Sequence, residues 1–140
     1  VDAESDATRR SIYLYVDRYE LPDVFATFDF ANPEFSTAER DSTIVPQQAL
    51  YLMNHPWVMD RAADLAARSE VRNAADDTAR LQVLYAILFQ REASERELRL
   101  GLEFVARVRD AEEKGDPAAT DPWARLAHAL LQTNEFVYLQ

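Results

Sequence analysis

Residues 76–89 read DDTARLQVLYAILF. Two acids open the stretch, and a carboxylate there accepts the free backbone N–H groups that any first helical turn leaves exposed. Behind them Leu81, Leu84, Tyr85 and Leu88 recur at spacings of three and four, while Val83, Ile87 and Phe89 fill the other sides. A helix apolar nearly all round belongs inside a bundle rather than on its surface. The pattern predicts a central helix capped by Asp76 or Asp77, with amphipathic neighbours packed about it.

The neighbours follow on both sides. Downstream, Ser94-Glu95-Arg96-Glu97 is a Ser-x-x-Glu capping box, so a helix starts at Glu95. It carries Leu98, Leu102, Val105 and Val108 and stops near Lys114-Gly115. Asp121-Pro122 repeats the start signal, and Trp123, Leu126, Ala127, Leu130 and Leu131 form the next stripe. Upstream, His55-Pro56 opens a helix reaching about residue 69, with Val58, Ala62, Leu65 and Ala66 inward and residues 71–75 as its link to the central helix. Before it, a short helix over 46–53 turns Ala49, Leu50 and Met53 inward and stops on a left-handed Asn54.

The N-terminal third is less regular. Residues 1–7 read as a disordered, acidic terminus, and SIYLYV at 11–16 has the β-branched and aromatic content of a strand. Pro22 starts a two-turn helix with Leu21, Val24, Phe25 and Phe28 on its apolar side. Residues 29–45 lack any period and read as an irregular wrap anchored by Phe30 and Phe35. The last six residues, 135–140, alternate and read as extended, pairing with 12–16 in a small two-stranded ribbon. The expected fold is mainly α: a helical bundle of four longer and two shorter helices under an N-terminal wrap, forming a single domain over 8–140. With Val1 first and no basic-then-apolar start, the chain reads as a fragment of a longer one without a signal peptide.

Composition narrows the partners. The 140 residues hold 25 acids against 15 cations, a net charge of -10, which repels polyanions such as nucleic acid and anionic lipid. A nucleic-acid face would have to gather Arg9, Arg10 and Arg18 against that total. The excess is uneven, with ten acids and four arginines in residues 1–45, so the wrap should present an acidic surface. The longest apolar run, 81–89, is far shorter than the ~20 residues of a membrane span.

Little of the chain looks catalytic. With no cysteine there is no thiolate zinc site, iron–sulfur cluster or Cys nucleophile, and two glycines cannot build a phosphate-cradling loop. His128 sits between Ala127 and Ala129 as a partly buried helical histidine, and His55 reads as a helix cap or an exposed residue. A metal cluster of His55, Asp60 and Asp64 lacks the spacing of a ligand set. Asp76-Asp77 and Glu112-Glu113 are explained by helix ends. Five acid-first pairs four residues apart, Asp64 and Arg68, Asp76 and Arg80, Glu92 and Arg96, Glu95 and Arg99, Glu103 and Arg107, read as solvated helix faces. Trp57 and Trp123, each just after a proline, read as core anchors, with a surface platform as the alternative for Trp57. No cofactor is expected.

Several segments taken in order resemble one family. RRSIYL at 9–14, TFDFANP at 27–33, STIVPQQAL at 42–50 with Leu52-Met53-Asn54, FQREAS at 89–94 with Glu97-Leu98, and LLQTNEFVY at 130–138 are similar to a planctomycete-type conserved domain of unknown function. The resemblance implies the C-terminal part of a large exported protein, downstream of other domains and often of a cytochrome c-like one. It implies a cell-envelope or periplasmic setting and no known activity. Gln90 and Glu92-Ala93 stand where that family favours glycine and prolines, a departure expected to let the central helix run on. Ser36-Thr37 stands where Ser-Cys is frequent, and no Cys-x-x-Cys-His haem attachment occurs. The expected function is a non-catalytic accessory or interaction module packed against upstream domains of its parent. The alternative is a contribution to the active site of a polysaccharide-acting envelope enzyme, with Asp29, Arg40 and Asn54 supplying polar groups.

Overall fold

The structure, a computed structural model, describes residues 23–28, 46–113 and 121–137. The predicted strand at 11–16, the wrap at 29–45 and the stop at Lys114-Gly115 lie outside the described residues. Within them the chain is mainly α, with eight helices and no strand. In order these are α1 (Asp23–Thr27), α2 (Pro46–Asn54), α3 (Pro56–Ala67), α4 (Ser69–Arg72), α5 (Asp77–Phe89), α6 (Glu95–Glu113), α7 (Pro122–Leu131) and α8 (Asn134–Val137). They fall into two compact units, Val1–Trp57 and Val58–Gln140.

In the second unit α5 is the hub, packing on α4, α6, α7 and α8. Asp76 caps it as the sequence implies, its Oδ1 accepting the Ala79 N–H at 2.7 Å. Leu81 and Leu84 are fully enclosed, and Tyr85 is buried beside them. Around them α6 contributes Val105, α7 contributes Trp123, Leu126 and Leu130, and the α3–α4 segment contributes Ala66 and Val71. Val71 was expected in a link; it is instead a buried core residue of α4. The α5–α6 contact is close because position 101 is glycine. A Cβ there would lie 2.6 Å from Leu81 Cδ2, inside any allowed contact.

Two helix ends differ from expectation. Gln90 does not prolong α5; it ends the helix in the left-handed conformation, φ 56° and ψ 29°, with its N–H donating to the Ala86 carbonyl. Glycine suits that geometry best, so glutamine at 90 carries a steric cost that a glycine would not. Asn54, expected in the same conformation, lies within α2, and Gln90 is the one non-glycine residue with positive φ among those described.

The extended C-terminus is also corrected. Residues 134–137 form α8, because the Phe136 and Val137 N–H groups turn back to the Thr133 carbonyl. The ribbon with residues 12–16 is therefore not supported. Residues 138–140 lie outside the described residues.

In the first unit α1 packs on α2 and buries Phe25. The inward face of α2 is not the one its apolar residues suggest. Ala49, Leu50 and Met53 are exposed, Leu50 by 56% and Met53 by 51%, whereas Gln48 is 6% exposed and Tyr51 and Leu52 are half-buried. The helix is rotated so that Tyr51 meets Phe28 edge-on, ring centroids 5.7 Å apart. Aromatic contact has overridden the aliphatic stripe.

Candidate functional site

The densest polar constellation in the second unit is centred on Arg91, in the short connector between α5 and α6. All five of its N–H donors are engaged. Nε and Nη2 grip the Glu135 carboxylate at 2.6 and 2.7 Å, while Nη1 and Nη2 grip Glu97 at 3.0 and 2.7 Å. The remaining Nη1 donor reaches the Glu92 carbonyl at 2.9 Å. The guanidinium also lies near the rings of Tyr85 and Phe89, 5.4 and 5.6 Å from their centroids. Such forked pairing is the strongest form of ion pair a protein surface offers.

Glu97 does double duty. It closes the predicted capping box, accepting the Ser94 N–H and Oγ–H, both at 2.7 Å, while Ser94 Oγ accepts the Glu97 N–H at 3.4 Å. The Arg91 fork, aided by Ser94, holds the Glu97 carboxyl down to about 2, and Arg91 likewise lowers that of Glu135. Both carboxylates raise the Arg91 guanidinium further above its ordinary value. Next to this node, Gln82 clamps the connector through Ala93: its Oε1 accepts the Ala93 N–H at 2.8 Å and its Nε2 donates to the Ala93 carbonyl at 3.3 Å.

A second polar group lies at the start of α5. Arg109 forks onto Asp77 at 2.7 and 3.1 Å, which lowers the Asp77 carboxyl and raises the guanidinium. Arg80 lies over the Trp123 ring, 4.5 Å from its centroid, and its Nη2 donates to the Ala66 carbonyl at 3.4 Å. Burial lowers the Arg80 guanidinium, an effect that Asp121 and Asp77 oppose. Asp121 caps α7 through the Trp123 N–H at 3.0 Å, as its position before Pro122 implies. Trp123 itself is 2% exposed, a core anchor.

Chemically, these groups hold helices together. Arg91, with every donor engaged, has no hydrogen bond left for a substrate, and carboxylates pulled below their ordinary values are poor general bases. Among the described residues no three His, Asp or Glu side chains gather to hold a metal ion.

Of the three residues weighed for an active site, Asp29 and Arg40 lie outside the described residues. Asn54 is exposed, and its amide donates to the Leu50 carbonyl at 3.0 Å, a local helix-end bond. His55 is half-buried and acts as a cap for α3, its Nδ1 accepting the Trp57 N–H at 3.3 Å. His128 is half-buried on α7, and Arg9, Arg10 and Arg18 lie outside the described residues. One of the acid-first pairs is rearranged: Asp64 pairs with Arg61 at 3.0 Å and Arg68 with Glu70 at 3.2 Å. Sequence reading missed the Arg91 node because its partner Glu135 lies 44 positions away. The visible signal was an arginine directly after an apolar helix and before a capping box.

The charged clusters of the second unit thus tie its own helices to one another. A family model matches residues 1–105, described as PSD1: Protein of unknown function (DUF1553), and the chain belongs to that family. No curated protein and no solved structure matches the chain. The matched segment stops within α6, yet α6 packs most extensively on α7, so the folded unit extends past the family match.

Proposed function

We propose that this chain is a non-catalytic accessory module of a larger exported bacterial protein, and that it packs against a neighbouring domain of the same polypeptide. The observation that carries this reading is the outward apolar face of α2, where Leu50 and Met53, one helical turn apart, point away from the packing surface of their own unit. An isolated exposed leucine needs no explanation, but two large side chains on one face beside half-exposed Phe28 favour a covered surface. Membership of a family of unknown function agrees with an uncharacterised accessory role. The further resemblance to planctomycete domains that follow others in exported chains supports the setting and the kind of partner. No helix among the described residues is long and apolar enough to cross a membrane.

The test compares backbone hydrogen exchange over residues 46–54 in the separate domain and in the parent polypeptide. Exchange should slow by about 10-fold or more in the parent, as for a helix face newly covered by a partner. Leu50→Asp with Met53→Asp in the parent should abolish that slowing while far-ultraviolet circular dichroism stays unchanged. Equal exchange in the two contexts would remove the proposal.

A further inference from the structure

Within the second unit, α8 has little of its own to hold it in place. It is a single turn, Asn134–Val137, and none of its residues is buried: Asn134, Glu135 and Phe136 are exposed and Val137 is half-buried. One turn of helix is too short to persist unaided. Its backbone bonds, from the Phe136 and Val137 N–H groups, both end on the Thr133 carbonyl. It rests on α5 and α7, and the charged link that fastens it to the body is the fork of Arg91 on Glu135, 44 positions apart. α7 is finished before α8 begins, because the Thr133 N–H and Oγ–H both donate to the Leu130 carbonyl, at 3.1 and 2.8 Å. Detaching α8 therefore does not require α7 to unwind.

The two carboxylates that share Arg91 are not held equally. Glu97 accepts four hydrogen bonds, two from Arg91 and two from Ser94. Glu135 accepts two, both from Arg91. Each such bond favours the charged form of a carboxylate, so the group with fewer of them gives up its charge first. We infer that α8 is a strap closed by the Arg91–Glu135 pair, and that it opens, hinging after Thr133, when Glu135 is protonated while Glu97 still holds Arg91 at the α5–α6 connector. A neutral carboxyl no longer gives the guanidinium a charged fork to grip, and no buried residue of α8 keeps the turn seated. The connector stays in place, because Gln82 clamps Ala93 and the capping box ties Ser94 to Glu97.

The charges acting on Glu135 are those of Arg91, which favours its carboxylate, and Glu97, which opposes it. From α5 the node meets Tyr85, whose phenol is pushed up by burial and so stays neutral in acid, and Phe89. Glu92 offers Arg91 its carbonyl, and its side chain is exposed. α7, which also packs on α8, carries Arg125, exposed, and His128, half-buried. Arg91 lowers the Glu135 carboxyl from its ordinary value, and a depressed carboxylate loses its charge as pH falls through its value in the folded chain. Glu97 is held down to about 2. The strap therefore opens on acidification, below the ordinary carboxylate range and ahead of the loss of the Glu97 cap.

Nuclear magnetic resonance on the full chain separates the two steps. The carboxyl carbon shifts of Glu135 and Glu97 are followed from pH 6 to 2, together with the α-carbon shifts of residues 134–137 and the Ser94 and Glu97 amides. Glu135 should titrate at the higher pH and carry the 134–137 shifts toward coil values with it, whereas the Ser94 and Glu97 amides should move later, with Glu97. Glu135→Gln at pH 7 removes the charge without acid. It should lower the exchange protection of the Val137 amide about 3-fold, the scale of one exposed ion pair, and leave that of Ala93 unchanged. Shifts over 134–137 that follow Glu97 instead of Glu135 would overturn the inference. So would a Glu135→Gln chain in which Val137 keeps its wild-type protection, or one in which Ala93 loses as much, since strap and connector would then move as one.

Discussion

α2 in the first unit and α5 in the second handle apolar residues in opposite ways. α5 encloses Leu81, Leu84 and Tyr85 and meets four other helices, so nearly every side chain it offers is used in its own unit. α2 buries Gln48 and leaves Leu50 and Met53 outside. The difference teaches that burial pattern, rather than apolar content, separates a helix that completes a fold from one with a face left over. It also sets the scale on which substitutions should act.

The comparison breaks most readily by truncation on each helix. Leu84→Ala leaves a cavity in a fully enclosed site and should cost about 2–5 kcal/mol in urea unfolding followed by circular dichroism. Leu50→Ala removes a side chain that is mostly solvated already and should change stability by no more than about 0.5 kcal/mol. Similar losses at the two sites would mean that α2 is packed as α5 is.

A sharper form tests the close contact at Gly101. Gly101→Val drives atoms into Leu81, and overpacking of that kind costs about 1–3 kcal/mol. In a Leu81→Ala background the same substitution should cost less, or even recover stability, because the space it needs has been vacated. Strict additivity of the two changes in a double-mutant cycle would show that the pair does not touch.

How much of this was legible follows from the range of the interactions involved. The caps at Asp76, Ser94 with Glu97, and Asp121 are local rules of three residues or fewer, and each forms as read. α6 and α7 were legible because one apolar face dominates in each, and α5 because it is apolar nearly all round. The face of α2 was not, because Ala49, Leu50 and Met53 imitate an inward stripe while the deciding contact, Tyr51 with Phe28, spans 23 positions. The same limit hid Arg91, whose partner Glu135 is remote. α8 was misread for a different reason: its alternating residues imitate a strand, while its bonds back to the Thr133 carbonyl are local. For the candidate site, only Asn54 of the three residues weighed falls among those described, and its amide caps its own helix.

The Arg91 node gives the pH dependence of the second unit. Glu97 is held down to about 2 and Glu135 is also lowered, so both carboxylates favour the folded state above their ordinary range. Their contribution is complete above about pH 5 and is lost as pH falls toward 2. For Glu97, screened by solvent, the loss should be on the order of 1 kcal/mol. Glu97→Gln preserves the capping box but removes the charge, so it should lower stability at pH 7 and flatten the profile between pH 5 and 2. An unchanged acid limb in that variant would place the pH dependence elsewhere.

The smallest expected effect is a gain, at the end of α5. Gln90 holds φ 56°, where a Cβ crowds the backbone and glycine does not. Its side chain is exposed, and its N–H bond to Ala86 is made by the backbone alone, so Gln90→Gly keeps the stop and removes the crowding. Glycine also makes the unfolded chain more flexible, which offsets part of the benefit. The balance should still favour the folded state by about 0.5–1 kcal/mol in urea unfolding, because a left-handed non-glycine residue carries the larger penalty. A destabilised Gln90→Gly would mean that glutamine earns its place through its side chain, and the connector that positions Arg91 would then be the region to search for what that side chain holds.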